Sequence, residues 1–332
     1  ETLVFRLINS KNRHNKIRFS SIGTRLSVIN AAYFEKLFEA CVSIYKNELG
    51  TDKKAIIRFD STIVALSTKL LTVGYQLKGG DAENYRQLKF TVGYSDIPEI
   101  VHFYADPTHN SENVALRETI IKQSKSDADS IKIFDRGITA RSTYDTFTNK
   151  GIQFVSRINV KSKYDKVSIN DAKNDTPIET TTLKIISDEW CQFYGNKGIK
   201  PKNLFRRIEA IRLENDEPIS FITNIQNLTA ADITELYKRR WNIEVFFKFI
   251  KQLLNFKHLI SRNENGIKVV LYVTMIASIL LTAYKKLNRL NGYKIPKLKF
   301  SNELENEIVK ELIRMCGGNP EKLNGILLGN TS

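Results

Sequence analysis

The sequence predicts an α/β protein: a mixed sheet flanked by helices, with a β-rich insertion ahead of the helix that carries Glu244 and helical segments at both ends. Three observations carry that reading. Two short apolar runs each end in an aspartate, AIIRFDST at Asp60 and SIKIFDRGIT at Asp135. Residues 87–94 and 100–105 alternate apolar and polar at the period of a strand. Tyr237, Arg240, Glu244, Lys248 and Lys251 recur at spacings of three, four, four and three. At ~100° per residue they fall in a stripe roughly 60° wide on one helix.

Taken in order, residues 1–50 open strand-like and continue as an amphipathic helix over 28–49, with Ala32, Phe34, Leu37, Phe38, Cys41 and Ile44 on its apolar side. They form an N-terminal helical segment. The core begins at 51, with a strand over 55–60 that Asp60 ends, a loop over 65–86, and an antiparallel meander over 87–94 and 100–105. A helix at 111–123, a strand at 131–135, a helix at 139–149 and a strand at 152–158 complete its first part, 51–158. Residues 159–225 then intervene, with strand-like TTTLKII, LFRRIEAIRL and PISFITNI, and read as the β-rich insertion. The second part of the core, 226–262, opens at Thr229 and Asp232 in a capping-box-like start and runs as one helix to about 255. The C-terminal helical region, 263–332, holds an apolar helix at 265–288 and a last helix at 301–316, stopped by Gly317, Gly318, Asn319 and Pro320.

Lys and Arg number 51 against 36 Asp and Glu, a net charge of +15 over 332 residues. Such a balance calls first for nucleic acid as partner. A membrane fits less well. The apolar stretch 269–284 falls short of the ~20 residues a span needs and carries Tyr272, Thr274, Ser278 and Thr282, so it reads as a buried core helix. The first residues lack a signal-peptide pattern. Cys41, Cys191 and Cys316 are isolated and have neither metal nor disulfide spacing, which suits a reduced, cytoplasmic protein. Because the chain begins at Glu1, an end-binding segment ahead of it is left open. His14, His102, His109 and His258 make no metal pattern, and no phosphate-binding loop, dinucleotide fingerprint or Ser/His/Asp arrangement is present.

Each feature has a plainer reading. Glu244 and Lys248 form an i,i+4 pair such as stabilises many exposed helices, and an aspartate after a strand is a common turn residue. Their order is what matters: strand and Asp, strand and Asp-Arg-Gly, then helix and Glu. A carboxylate at a strand end stands where open α/β sheets bind ligands.

With DST at Asp60, DRG at Asp135, FVSR at 154–157 and the pattern Y-x2-R-x3-E-x6-K from Tyr237 to Lys251, the chain resembles the cut-and-paste DDE transposases of bacterial insertion sequences over about residues 25–290. One position departs mildly: Ile138 follows DRG where an aromatic is frequent. The resemblance implies an RNase H-like core, and hairpin-forming members carry a β insertion at the same point. It further implies two Mg2+ ions, replaceable by Mn2+, with Asp60 on both, Asp135 on one and Glu244 on the other. These would cut phosphodiesters at transposon ends and then join a DNA 3′-hydroxyl to target DNA. Tyr237, Arg240, Lys248 and Lys251 would grip phosphates, and Arg157 the transposon-end backbone. Trp190, set among polar residues, is a candidate to stack a flipped base, whereas Trp241 reads as core. Two ends held together imply a homodimer on DNA, and the DNA substrate a nucleoid-associated location. A catalytically silent DNA-binding descendant and a stand-alone RNase H-like nuclease are the alternatives.

Overall fold

The computed structural model describes residues 19–49, 56–66, 75–76, 86–170, 178–195, 198–252, 254 and 263–321. The chain divides into two compact units, one of residues 39–251, the other joining residues up to 38 with those from 252 onward.

The larger unit is built on one mixed sheet. Its strands are β1 (Ile56–Leu66), β2 (Tyr75–Gln76), β3 (Arg86–Tyr94), β4 (Pro98–Tyr104), β5 (Ile131–Phe134), β6 (Phe154–Ile158), β7 (Tyr164–Ile169), β8 (Ile178–Glu179), β9 (Leu183–Phe193), β10 (Phe205–Arg212) and β11 (Pro218–Thr223). They lie in the order β2-β3-β1-β5-β6-β11-β10-β9-β7, with β4 on β3 and β8 on β9. β1, β5 and β6 are mutually parallel. These central strands read as near-continuous apolar runs because both faces are covered. On one face Ile57, Phe59, Phe134 and Phe154 pack with Leu116 and Ile120 of α3 (Glu112–Ser124) and Tyr144 and Phe147 of α4 (Arg141–Asn149). On the other, Ile56, Ile131, Ile133 and Val155 pack with Ile233 and Tyr237 of α5 (Ala230–Lys238).

β1 corrects one expectation. It does not stop at Asp60 but continues to Leu66, because β3 pairs with it antiparallel along Arg58–Leu66. What ends at Asp60 is the parallel partner: the β1–β5 register closes at Phe59 opposite Phe134. Residues 159–225 hold strands, and β11 pairs antiparallel with β6 from Val155 to Ile158, so these strands continue the central sheet.

The capping box at Thr229 and Asp232 is present, yet the single helix expected after it is two. α5 ends at Lys238 and α6 (Trp241–Gln252) starts afresh. Neither Gly nor Pro causes the break. Arg58, wholly buried on β1, donates from Nε to the Arg239 carbonyl oxygen at 2.7 Å and from Nη1 to Ser95 O at 2.6 Å. The backbone tightens there to Arg240 N→Tyr237 O and Ile243 N→Arg240 O bonds, the three-residue spacing of a 3₁₀ turn.

The smaller unit contains α1 (Phe19–Val28), the first part of α2 (Ala31–Leu49), α7 (Glu264–Leu287) and α8 (Lys294–Met315). The helix expected over 28–49 thus begins at 31, where the Asn30 side chain accepts from Ala32 N. The strand-like start at 1–18 lies outside the described residues, as does most of the 65–86 loop. Asn265 joins α7 to the end of α1 through Leu26 O and Ile29 O. Among the described residues α7 is the one helix long and apolar enough to cross a membrane. Ile267, Leu271, Met275, Ile279 and Leu281 on it are buried, as in the core helix of a folded domain. The last helix starts at Lys294, earlier than expected, and ends where Gly317 takes φ +77°, a left-handed stop that suits glycine.

Candidate active site

Sheet register builds the site. Asp60 and Asp135 follow the last parallel pair, Phe59 and Phe134, on neighbouring strands, whose backbones lie ~4.8 Å apart. Arg157 continues the row on β6, since Ser156 is paired with Phe134. Side chains two apart share a face. Asp60, Asp135 and Arg157 therefore point to the face covered by α5 and α6.

Those helices close over them. Tyr237, buried at the end of α5, donates its hydroxyl to Asp135 Oδ1 at 3.0 Å and sets its ring edge-on to Phe221 at 5.2 Å. Arg240 lies in the break, its guanidinium 5.8 Å from the Tyr237 ring centroid, and donates from Nη2 to Glu244 Oε1 at 2.6 Å. Burial works against the Arg240 charge, but Tyr237, Glu244 and Asp135 outweigh it and hold its pKa above the usual value. α6 is anchored by Ile243, Phe246, Phe249 and Ile250, with Phe246 stacked on Tyr94 at 4.6 Å. That seating leaves Glu244 two-thirds covered and within electrostatic reach of Asp60.

The two aspartates feel opposite environments. Burial pushes the Asp60 carboxyl up to about 6. Ser61 N–H and the Arg240 charge pull it down, while Glu112 and Glu244 add repulsion. Burial also raises Asp135, but the Arg136 N–H, Arg240, the Tyr237 hydroxyl and Arg157 more than offset it, and its pKa lies below the ordinary carboxylate value. Two donors beside them are unused: Arg157 Nε and Arg240 Nε are buried with no hydrogen-bond partner among the described residues. Buried N–H groups are nearly always satisfied, so an acceptor such as a phosphate oxygen suits both positions.

Asp60, Asp135, Glu244, Tyr237, Arg240 and Arg157 are thus brought together. Lys248 is exposed one turn further along α6, and Lys251 sits with Nζ 5.6 Å over the Phe247 ring. Trp190 is elsewhere. It lies on β9, four strands from β5, or ~19 Å at the usual spacing, and its indole N–H is bonded to Asn170 Oδ1 at 3.0 Å. Trp241, expected in the core, is 61% exposed, because it starts α6 on the side away from Phe246 and Ile250.

Sequence reasoning missed a carboxylate. Glu112, in the first turn of α3, accepts from Ser61 Oγ at 2.9 Å and pairs with Lys89 at 2.7 Å. Only its position after a loop, as an acid at a helix start, was visible in the sequence. Arg58 was missed too, hidden inside an apolar run.

Residues 51–280 match the family model described as a transposase DDE domain, and the chain belongs to that family. It is 26% identical over 269 residues to the probable transposase for insertion sequence element IS5377 of Geobacillus stearothermophilus, covering 80% of this chain and 67% of that one. Over 287 residues it is 23% identical to the putative transposase for insertion sequence element IS4SA of Synechocystis sp., covering 79% of this chain and 74% of the other. The protein is a DDE transposase of the insertion-sequence kind. Transposases bind DNA, and DDE domains use divalent metal.

The side chains present suit such an ion. They offer only hard carboxylate oxygens, the donors that Mg2+ and Mn2+ prefer, and Glu112 and Glu244 add negative charge around Asp60. As they stand, with Glu244 joined to Arg240, no three His, Cys, Asp or Glu among the described residues are grouped closely enough to hold one ion.

Proposed function

We propose that the chain cuts DNA at the ends of its element and joins them to target DNA, in a cut-and-paste reaction at Asp60, Asp135 and Glu244. The observation that supports this reading is the placing of Asp60 and Asp135 directly after the last parallel pair of two adjacent strands, with Glu244 within electrostatic reach of Asp60, in a chain of the DDE family. The fold we infer is RNase H-like, with residues 159–225 as its β insertion.

Two divalent cations, Mg2+ or Mn2+, held by Asp60, Asp135 and Glu244, would supply the Lewis acidity that activates a hydroxyl and neutralises the leaving oxygen. The chain's own residues do the rest. Tyr237 fixes the Asp135 rotamer through its hydroxyl, so the carboxylate presents its second oxygen to the site. Arg240 and Arg157 offer buried, unused Nε–H groups to phosphate oxygens, and a guanidinium fork matches that geometry. Lys248 and Lys251 extend the positive charge along α6 as point charges. The net charge of +15 draws the duplex in. Joining two ends in one reaction requires two copies of the site, hence a homodimer on DNA.

The test is a supercoiled plasmid carrying both element ends. With Mg2+ or Mn2+ the full chain should excise the segment between them, and with Ca2+ or EDTA it should bind the ends without cutting. Excision in EDTA would overturn the metal-dependent reading.

A further inference from the structure

The first turn of α3 touches the chain just after each aspartate, at Ser61 and at Gly137. Glu112 accepts from Ser61 Oγ at 2.9 Å, and the backbone N–H of the same Ser61 donates to Asp60 Oδ1 at 2.8 Å. Ser61 Oγ also meets Thr91 Oγ1 at 3.2 Å. On the Asp135 side, a Cβ built on Gly137 would lie 2.9 Å from Glu112 Cγ and 3.1 Å from its Cβ. The turn two residues past Asp135 therefore rests directly against the Glu112 stem, and a side chain there would push one of them aside. The next residue of the helix, Asn113, accepts through Oδ1 from Thr139 N at 2.8 Å and Ala140 N at 2.9 Å, which pins the rest of that loop.

Glu112 is itself held. Its other oxygen, Oε1, is 2.7 Å from Lys89 Nζ, whose side chain is 1% exposed. Lys89 also donates to Asn110 O at 2.8 Å, in the loop that delivers the chain to α3. A lysine so buried needs its counter-charge, because an unpaired ammonium out of water is strongly disfavoured. The pair is thus locked, and the free face of the carboxylate is directed to Ser61.

Glu244 approaches Asp60 from the α5–α6 face of the sheet. Ser61, one residue on, points to the opposite face, where Glu112 meets it. Glu112 thus meets both Ser61 and Gly137.

We infer that Glu112 is a positioning residue: through Ser61 and the Gly137 turn it sets the spacing and orientation of Asp60 and Asp135, and so the affinity of the site for divalent cation. This rests on the proposed function of those aspartates. Residues bonded to ligating carboxylates commonly matter ~10–100-fold in metal affinity.

The experiment measures Mn2+ binding to the DNA-free full chain, from the electron paramagnetic resonance signal of unbound Mn2+, with thermal unfolding alongside. Glu112→Gln keeps an acceptor for Ser61 but loses the Lys89 ion pair and the carboxylate charge. It should weaken Mn2+ about tenfold, and cleavage should need correspondingly more metal while recovering at saturation. Ser61→Ala breaks the link but leaves Lys89 and Glu112 paired, and should weaken Mn2+ in the same direction; it decides the matter if Glu112→Gln does not fold. Asp60→Asn is the reference. If Asp60→Asn weakens Mn2+ while Glu112→Gln and Ser61→Ala, both folded, bind it as wild type does, the positioning role is overturned, and any fall in melting temperature is merely structural. If Asp60→Asn itself binds Mn2+ unchanged, the proposed metal site fails instead.

Discussion

Where the parallel pairing of β1 and β5 stops, an aspartate comes next in each segment, on one face of one sheet, and the protein treats the two differently. Asp60 is buried beside two further carboxylates, and its pKa rises to about 6. Asp135 is ringed by donors and cations, the Arg136 N–H, Arg240, Tyr237 and Arg157, and is held below the usual value despite burial. Two carboxylates whose surroundings push them apart mark a site with a division of labour. Asp135 is stabilised by the protein alone. Asp60 is held mainly by burial, which the Ser61 N–H and Arg240 offset only in part.

Arg240 is the element common to both, since its charge favours ionisation of each aspartate, and its loss should have the largest effect among ways to blur the comparison. Arg240→Ala should weaken binding to element ends by about 1.5–3 kcal/mol, the worth of a charge-assisted hydrogen bond, with the salt slope of binding smaller by about 1. It should also raise the titration of both aspartates. Unchanged binding and an unchanged slope in a filter or anisotropy assay would return Arg240 to a merely structural role.

The next effect sharpens the difference. A carboxyl whose folded pKa is raised binds more protons folded than unfolded between about pH 4 and 6, so stability falls as pH rises through that window and the ionised Asp60 costs stability at neutral pH. Asp60→Asn should therefore stabilise the chain in EDTA at pH 7.5, on the order of 2 kcal/mol, and do little near pH 4. Asp135 is depressed, so its contribution is present above the unfolded pKa and lost as pH falls through the folded one. Asp135→Asn should lower stability at pH 7.5. Thermal unfolding reads both, and shifts of the same sign would break the comparison.

Tyr237→Phe should have the smallest effect. Losing one hydroxyl donor removes about 1 kcal/mol, raises the Asp135 titration and leaves that of Asp60 nearly where it was. Carboxyl 13C resonances followed against pH in EDTA report both, and equal movement of the two would contradict separate environments.

Much of this was legible in the sequence, for local reasons. The runs around Ile57 and Ile133 mark buried strands, and the spacing from Tyr237 to Glu244 places their side chains over those strands' ends. What escaped was non-local. The helix break at Arg239 follows from a guanidinium 181 residues away in sequence; no Gly or Pro announces it. Glu112 looks like any acid at a helix start until the fold brings it to Ser61. Trp241 reads as core until α6 turns it outward. Pairing of β11 with β6 cannot be read from either strand alone.

The most direct measurement is single-turnover cleavage of DNA carrying an element end, with saturating Mg2+ at pH 8, by wild type and Asp60→Asn, each first shown to bind that end equally in Ca2+. Loss of a metal-holding carboxylate removes the activation of both hydroxyl and leaving oxygen. The account predicts cleavage by wild type and a fall of roughly a thousandfold or more for Asp60→Asn, about 4 kcal/mol in the barrier. Cleavage by Asp60→Asn within a few-fold of wild type would contradict it.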